Sequence, residues 1–303
     1  MEMRRFFFAL AFVACSSAEQ PSSPAPSAAT STDGGATGAC PRAGAPAPIA
    51  PIAAGEVDEA SGIAASALNE GAYWVHNDSG DAARAFAVSS TGALLATLTF
   101  DAAEPADIED MAIEDGPGGS FLYFGDIGDN AVARPALTIH RVAEPRLSGT
   151  APVTLDATSE KMTVTYGDAP HDAETLLFDP ITKDLLIVTK VLFGRAHVHR
   201  VGPFVAGTTA TTTRIASIPA ALATGGAISR DGRLVAVRGY GTTASLWVRA
   251  PGEDLATALA RPPCSVPVAT EAQGEAFAFL PDGGGYVTVS EGAGAALNLA
   301  RFE

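Results

Sequence analysis

Lysine is nearly absent from this 303-residue chain: only Lys161, Lys183 and Lys190 occur, and 34 acidic residues outnumber 19 basic ones, for a formal charge of −15. Binding a phosphate backbone needs a basic face, so the composition argues against nucleic acid as a partner. Aromatic residues make up only 7%, and cysteine is limited to Cys15, Cys40 and Cys264. No run of about twelve residues in the expected folded part shows helical amphipathicity, which argues against helical bundles and helix-rich α/β folds. The chain also lacks a Gly-x-Ser-x-Gly elbow, a phosphate-cradling glycine loop, His-Glu-x-x-His and Cys-x-x-Cys. Those absences argue against an elbow-type serine hydrolase, P-loop chemistry, a zincin and a thioredoxin-like redox site.

What is present begins with a targeting pattern. Met3-Arg4-Arg5 supplies a charged start, and Phe6 to Val13 is an apolar run too short to span a bilayer. It ends in Phe12-Val13-Ala14-Cys15, which resembles a bacterial lipobox with Phe12 where Leu is usual. The resemblance implies a signal peptide over residues 1–14, a lipidated Cys15 and a cell-envelope lipoprotein. Ordinary secretion after cleavage near Ala14 is the alternative. Residues 15–46 are rich in Ser, Ala, Pro, Thr and Gly and bury too little apolar surface to fold, so they read as a tether. The expected membrane contact is through the lipid anchor only.

Residues 47–303 form one expected domain built on a repeat. Five strand starts read Glu59-Ala-Ser61-Gly62-Ile63, Asp107-Ile-Glu109-Asp110-Met111, Asp172-Ala-Glu174-Thr175-Leu176, Thr224-Gly-Gly226-Ala227-Ile228 and Gln273-Gly-Glu275-Ala276-Phe277. Their spacing of about fifty residues is that of four-stranded propeller blades. Asp179-Pro180, Arg230-Asp231-Gly232 and Pro281-Asp282-Gly283 supply hairpin turns. The pattern predicts an all-β, five-bladed β-propeller, with a six-bladed ring as the alternative if the longer second unit hides a further blade. The last unit runs out after three strands, and Ala47–Ala53 is a strand-like piece available to close it. Cys40 falls just before that closing strand and Cys264 just before the outer strand of unit four. An oxidising compartment would let them pair, and two free thiols are the alternative.

In such a ring the inner-strand starts and the second-strand ends share one face. Aligning second strands at Val75, Phe124, Val188, Val237 and Val289 places His76, Gly125, Thr189, Arg238 and Ser290 at the channel mouth. Asn77, Asp126, Lys190, Gly239 and Glu291 follow. The expectation is an acidic funnel around Glu109, Glu174 and Glu275, holding Lys190 and Arg238. Asp107, Glu109, Asp126, Asp129, Asp172, Glu174, Glu275 and Glu291 offer oxygen ligands suited to Ca²⁺. His76, Asn77, Asp78, Lys190 and Arg238 are candidates for contacting a small-molecule ligand, and His171, Lys190 and Arg238 for catalysis. The competing reading has these acids merely solvated or bridging blades through water. His197-x-His199 puts two imidazoles on one side of a strand, as a Zn²⁺ site would, but Ile139-His140-Arg141-Val142 echoes it, which points to repeat structure.

The strand starts quoted above, with Trp74-Val-His76-Asn77-Asp78, resemble exported propellers of the SdiA-regulated and phytase-like (esterase-like) families. The resemblance implies Ca²⁺ at the acidic face and, in phytase-like members, phosphoester or ester hydrolysis. Two functions follow. One is a monomeric binding propeller holding Ca²⁺ or a small ligand, or meeting an envelope protein. The other is a Ca²⁺-dependent phosphoesterase or esterase, which needs both Lys190 and Arg238 in the funnel.

Overall fold

The computed structural model describes residues 38–101, 107–149 and 151–303. The signal-like segment, Cys15 and the tether up to residue 37 lie outside the described residues. The sheets form five blades. Blade one is Ala60–Ala65, Ala72–Asn77, Arg84–Ser89 and Leu94–Phe100; blade two is Ile108–Gly116, Gly119–Asp126, Leu137–Ala143 and Glu160–Thr165. Blade three is Ala173–Phe178, Asp184–Thr189, Ala196–Pro203 and Thr213–Ile218; blade four is Ala223–Ile228, Leu234–Gly239, Thr243–Val248 and Cys264–Pro267. Blade five is Gly274–Phe279, Gly285–Ser290 and Ala296–Arg301, completed by the N-terminal strand Ala47–Pro51. The five innermost strands touch in succession, blade five returning to blade one, so the ring is a closed five-bladed β-propeller.

Among the described residues the long second unit holds no sixth blade. Its extra length forms Val153–Ala157, which pairs in parallel with the outer strand of blade one. A second short strand, Thr209–Thr211, leaves unit three to pair in parallel with the outer strand of blade two. It is separate from the fourth strand of blade three, which begins at Thr213. Blade four carries a helix, Leu255–Ala260, capped by the Asp254 side chain accepting from Thr257 N at 2.8 Å.

The core is five apolar layers, one between each pair of neighbouring blades. A blade is thus covered on both faces, which is why inner and second strands such as Leu176–Phe178 and Leu185–Val188 read as continuous apolar runs. Near the axis the strands crowd, and small residues prevail. A Cβ on Gly225 would lie 2.0 Å from the Glu275 carbonyl oxygen. Asp179 and Arg249, both buried, tie the blade-three turn to blade four at 2.9 Å.

Residues 40–46, assigned to the tether on composition, lie beside blade five. Gly44 N donates to Arg301 O and Glu303 N to Arg42 O, each at 2.9 Å, and Ala43 bridges to Phe302. Cys40 and Cys264 form a disulfide with Cα atoms 5.8 Å apart. Backbone pairing and the crosslink hold this segment, and neither registers in composition.

Candidate functional site

All five innermost strands break register at the same place, between Ala60 and Gly62, Ile108 and Asp110, Ala173 and Thr175, Ala223 and Gly225, and Gly274 and Ala276. The extra residue of each bulge is Ser61, Glu109, Glu174, Thr224 or Glu275. A bulge re-aims one side chain while leaving the strand paired beyond it. The two hydroxyls turn sideways, Ser61 donating to Glu109 O and Thr224 to Gly274 O, so they fasten blade one to two and four to five. The three glutamates, each buried, gather at the funnel.

The register corrects two alignments. In unit four the bulge residue is Thr224; Gly226, aligned from sequence, lies two residues further along. In units three and five, Thr189 and Ser290 are one residue beyond the positions of His76 and Arg238, and a one-residue slip changes faces. The residues that then line up around the mouth are Asp78, Ile127, Lys190, Tyr240 and Glu291. Four of them donate their backbone N–H to the carbonyl just ahead of the inner strand: Asp78 to Glu59, Ile127 to Asp107, Lys190 to Asp172 and Glu291 to Gln273.

Two groups of three carboxylates result. Asp78, Asp107 and Glu109 can present oxygens within 4.8 Å of one another, as can Asp78, Glu275 and Glu291, so Asp78 belongs to both. Glu109 and Asp107 share a hydrogen bond, as do Glu275 and Glu291, and Tyr240 Oη donates to Glu275 Oε1 at 2.7 Å. Glu174 stands in neither group: Lys190 Nζ bonds to it, with the ammonium 5.5 Å from the Tyr240 ring centre. A Cβ on Gly128 would lie 2.3 Å from both Asp107 Oδ2 and Glu109 Oε1, so bare backbone packs against these carboxylates.

Burial pushes Glu109 up to about 11, with Asp78, Glu174, Asp107 and Glu275 adding repulsion. Burial also raises Glu291 to about 7, helped by Glu275. Glu174 rises to about 7, burial outweighing the opposing pull of Lys190. Burial raises Asp107 and Glu275 as well, with Asp78 adding to both. With no cation present the funnel therefore holds protons at neutral pH.

The remaining candidates lie elsewhere. His76 is 1% exposed, its Nδ1 2.7 Å from Asn77 O and its ring edge-on to Phe124, so it is packed behind the inner strand. Asn77 Nδ2 is taken by Glu56 O at 2.7 Å and Asp81 at 2.9 Å. Asp126 accepts from Asp107 N at 3.0 Å and pairs with Arg134 at 2.7 Å. Asp129 caps Ala133 N and Arg134 N, and Asp172 accepts from Asp129 N at 2.9 Å. Asp126 and Asp129 brace the loop after the second strand of blade two, and Asp172 ties that loop to the start of blade three. Arg238 is buried and bonded to Glu271 at 2.7 Å and to Ala276 O at 3.2 Å, so it joins blade four to five. His171 meets Asp168 at 3.1 Å, outside both carboxylate groups.

Sequence reasoning missed Tyr240, which the corrected alignment would have placed beside Lys190. It also passed over Asp110, whose buried carboxylate accepts from Met111 N at 2.8 Å, from Leu176 N at 2.9 Å and from Gly226 N, joining blades two, three and four at the axis.

No known family's sequence profile matches the chain, and no curated protein matches it. Among solved structures it is similar to the Dos1 propeller, at 12% identity and a TM-score of 0.37 over 77% of this chain and 55% of that one. The chain thus spans about half of that protein's length. It is also similar to the hydrazine synthase of Kuenenia stuttgartiensis, at 8% identity and a TM-score of 0.39 over 77% of this chain and 80% of that one. At these identities and scores neither carries an argument about function, and the propeller is read from the five sheets themselves.

Proposed function

We propose that this is an exported, lipid-anchored propeller whose funnel binds Ca²⁺ or a small ligand held through it. The observation that carries the reading is the pair of carboxylate groups sharing Asp78. Their donors are all hard oxygens, and Ca²⁺ takes six to eight of these in flexible geometry. Asp78, Asp107, Glu109, Glu275 and Glu291 would hold the ion, and its charge would take over from the protons now shared there. The leader around Met3-Arg4-Arg5 and Cys15, and the resemblance of the strand starts to SdiA-regulated and phytase-like propellers, support the same reading.

The hydrolytic alternative calls for two cations aimed at an anionic substrate. Lys190 lies in the funnel, but it is engaged by Glu174, and Arg238 is committed to Glu271. Binding is therefore preferred to catalysis. The test compares melting and calorimetric titration with Ca²⁺, Mg²⁺ and EDTA, alongside a phosphoester hydrolysis assay. A Ca²⁺-dependent rise in Tm that Glu275→Gln weakens, without turnover, is the expected result. No rise in Tm and no binding heat would remove the funnel site; Ca²⁺-dependent turnover would restore the hydrolase.

A further inference from the structure

Blade three carries a second cluster that shares no residue with the funnel groups. Asp168 and His171 lie on the connection leading to Ala173–Phe178, and His199 is on the third strand, Ala196–Pro203. One ligand atom from each of the three falls within 4.8 Å of the others. His171 Nε2 is 3.1 Å from Asp168 Oδ1, and the His171 and His199 ring centres are 5.0 Å apart. Tyr166 packs edge-on against both imidazoles, at 4.8 and 4.9 Å, and walls the cluster.

His199 supplies a separate observation. Its ring is 1% exposed, and Nδ1 lies 3.2 Å from Thr212 Oγ1, while Nε2 is buried with no hydrogen-bond partner. A buried imidazole nitrogen left without a partner costs stability, and such groups call for an explanation. When Nδ1 carries the ring proton and donates it to Thr212 Oγ1, the Nε2 lone pair is free to bind a cation. The same pattern, a ligand imidazole oriented through its second nitrogen, recurs in metal sites.

The repeat itself provides the comparison. His140 occupies the equivalent place in blade two, pairing with Phe124 as His199 pairs with Ile187. It too is buried, with its Nδ1 unpartnered, but it lies against the Phe100 ring at 5.9 Å and belongs to no metal-ligating group among the described residues. Repetition therefore accounts for a histidine on this strand and not for the arrival of Asp168 and His171 beside it.

We propose that Asp168, His171 and His199 form a site for a borderline divalent transition ion of the Zn²⁺ kind. Two imidazoles and one carboxylate are the donor set such ions favour over Ca²⁺, which prefers oxygen alone. Asp168 and His171 keep 43% and 23% of their side-chain surface exposed, so the ion can enter from solvent and retain an open position. His197 stands beside the cluster with its Nδ1 held by Ser217 Oγ at 3.0 Å.

The purified protein is titrated with Co²⁺, read by visible absorption, and with Zn²⁺, read by calorimetry. One equivalent should bind, with a Co²⁺ ligand-field band. His171→Ala and Asp168→Asn, both at partly exposed positions that leave the core intact, should weaken binding about tenfold or more. Each variant should keep the wild-type Ca²⁺-dependent rise in Tm, so this site and the funnel stand or fall separately. Absence of the Co²⁺ band together with absence of Zn²⁺ heat would overturn the proposal, as would wild-type affinity in both variants.

Discussion

Replacing Glu109 by Gln tests the electrostatics of the funnel directly. Burial, with four neighbouring acids adding, holds this carboxyl protonated up to about 11, whereas the ordinary value is 4.5. Between those limits the folded chain binds a proton that the unfolded chain has released, so stability falls as pH rises through the window. At pH 7 the accumulated cost is about 3 kcal/mol at most, reduced by whatever water or rearrangement relieves. Glutamine keeps the shape and a donor for Asp107 but does not titrate. In EDTA the wild type should therefore lose stability from about pH 5 to pH 9, while the variant loses less and is about 2 kcal/mol the more stable at pH 7. Ca²⁺ should reverse the order, stabilising the wild type more strongly as pH rises and the variant far less. Urea unfolding followed by tryptophan fluorescence reads this well, because Trp74 and Trp247 are both buried. A wild-type stability that is flat or rising over that pH range in EDTA, or a variant less stable at pH 7, would refute the reasoning.

Three further outcomes follow from contacts already described. Reducing Cys40–Cys264, whose partners are 224 residues apart, should cost up to about 5 kcal/mol in the chain-entropy view, seen as a drop in urea midpoint with reductant. Asp179→Ala leaves the buried Arg249 guanidinium without its carboxylate and should cost about 3–5 kcal/mol by the same measurement, whereas a loss under about 1 kcal/mol would mean that water reaches the pair. Lys190→Met removes a positive charge from beside the acids and should tighten Ca²⁺ binding severalfold by calorimetry; weaker binding would show that Lys190 orders the site instead.

Strand starts, turns and the closing N-terminal strand were legible in the sequence because each has a local signature: a small polar opening, a Pro or Gly turn, an apolar run. Register was not. Gly225 and Gly226 offer no side chain to anchor an alignment, and in units three and five a one-residue slip keeps the apolar pattern of Leu185–Val188 while moving Thr189 to another face. Val153–Ala157 and Thr209–Thr211 went unread because they are short, outermost and paired in parallel with strands from another unit. Arg238 looked like a funnel cation because its partner, Glu271, lies in the next unit. His171 and His199 come together only through tertiary packing between a loop and a strand, which no spacing in the chain displays.

The two parallel edge strands also bear on how such a ring could be altered. Blade one is finished by a segment of unit two, blade two by a segment of unit three, and blade five by the N-terminal strand. The blades are consequently not interchangeable modules. Excising unit three would strip the rim of its predecessor, and duplicating unit two would produce two segments competing for one edge. A chain laced in this way resists any change in blade number, whereas a funnel or loop side chain can be exchanged without any strand losing its neighbour.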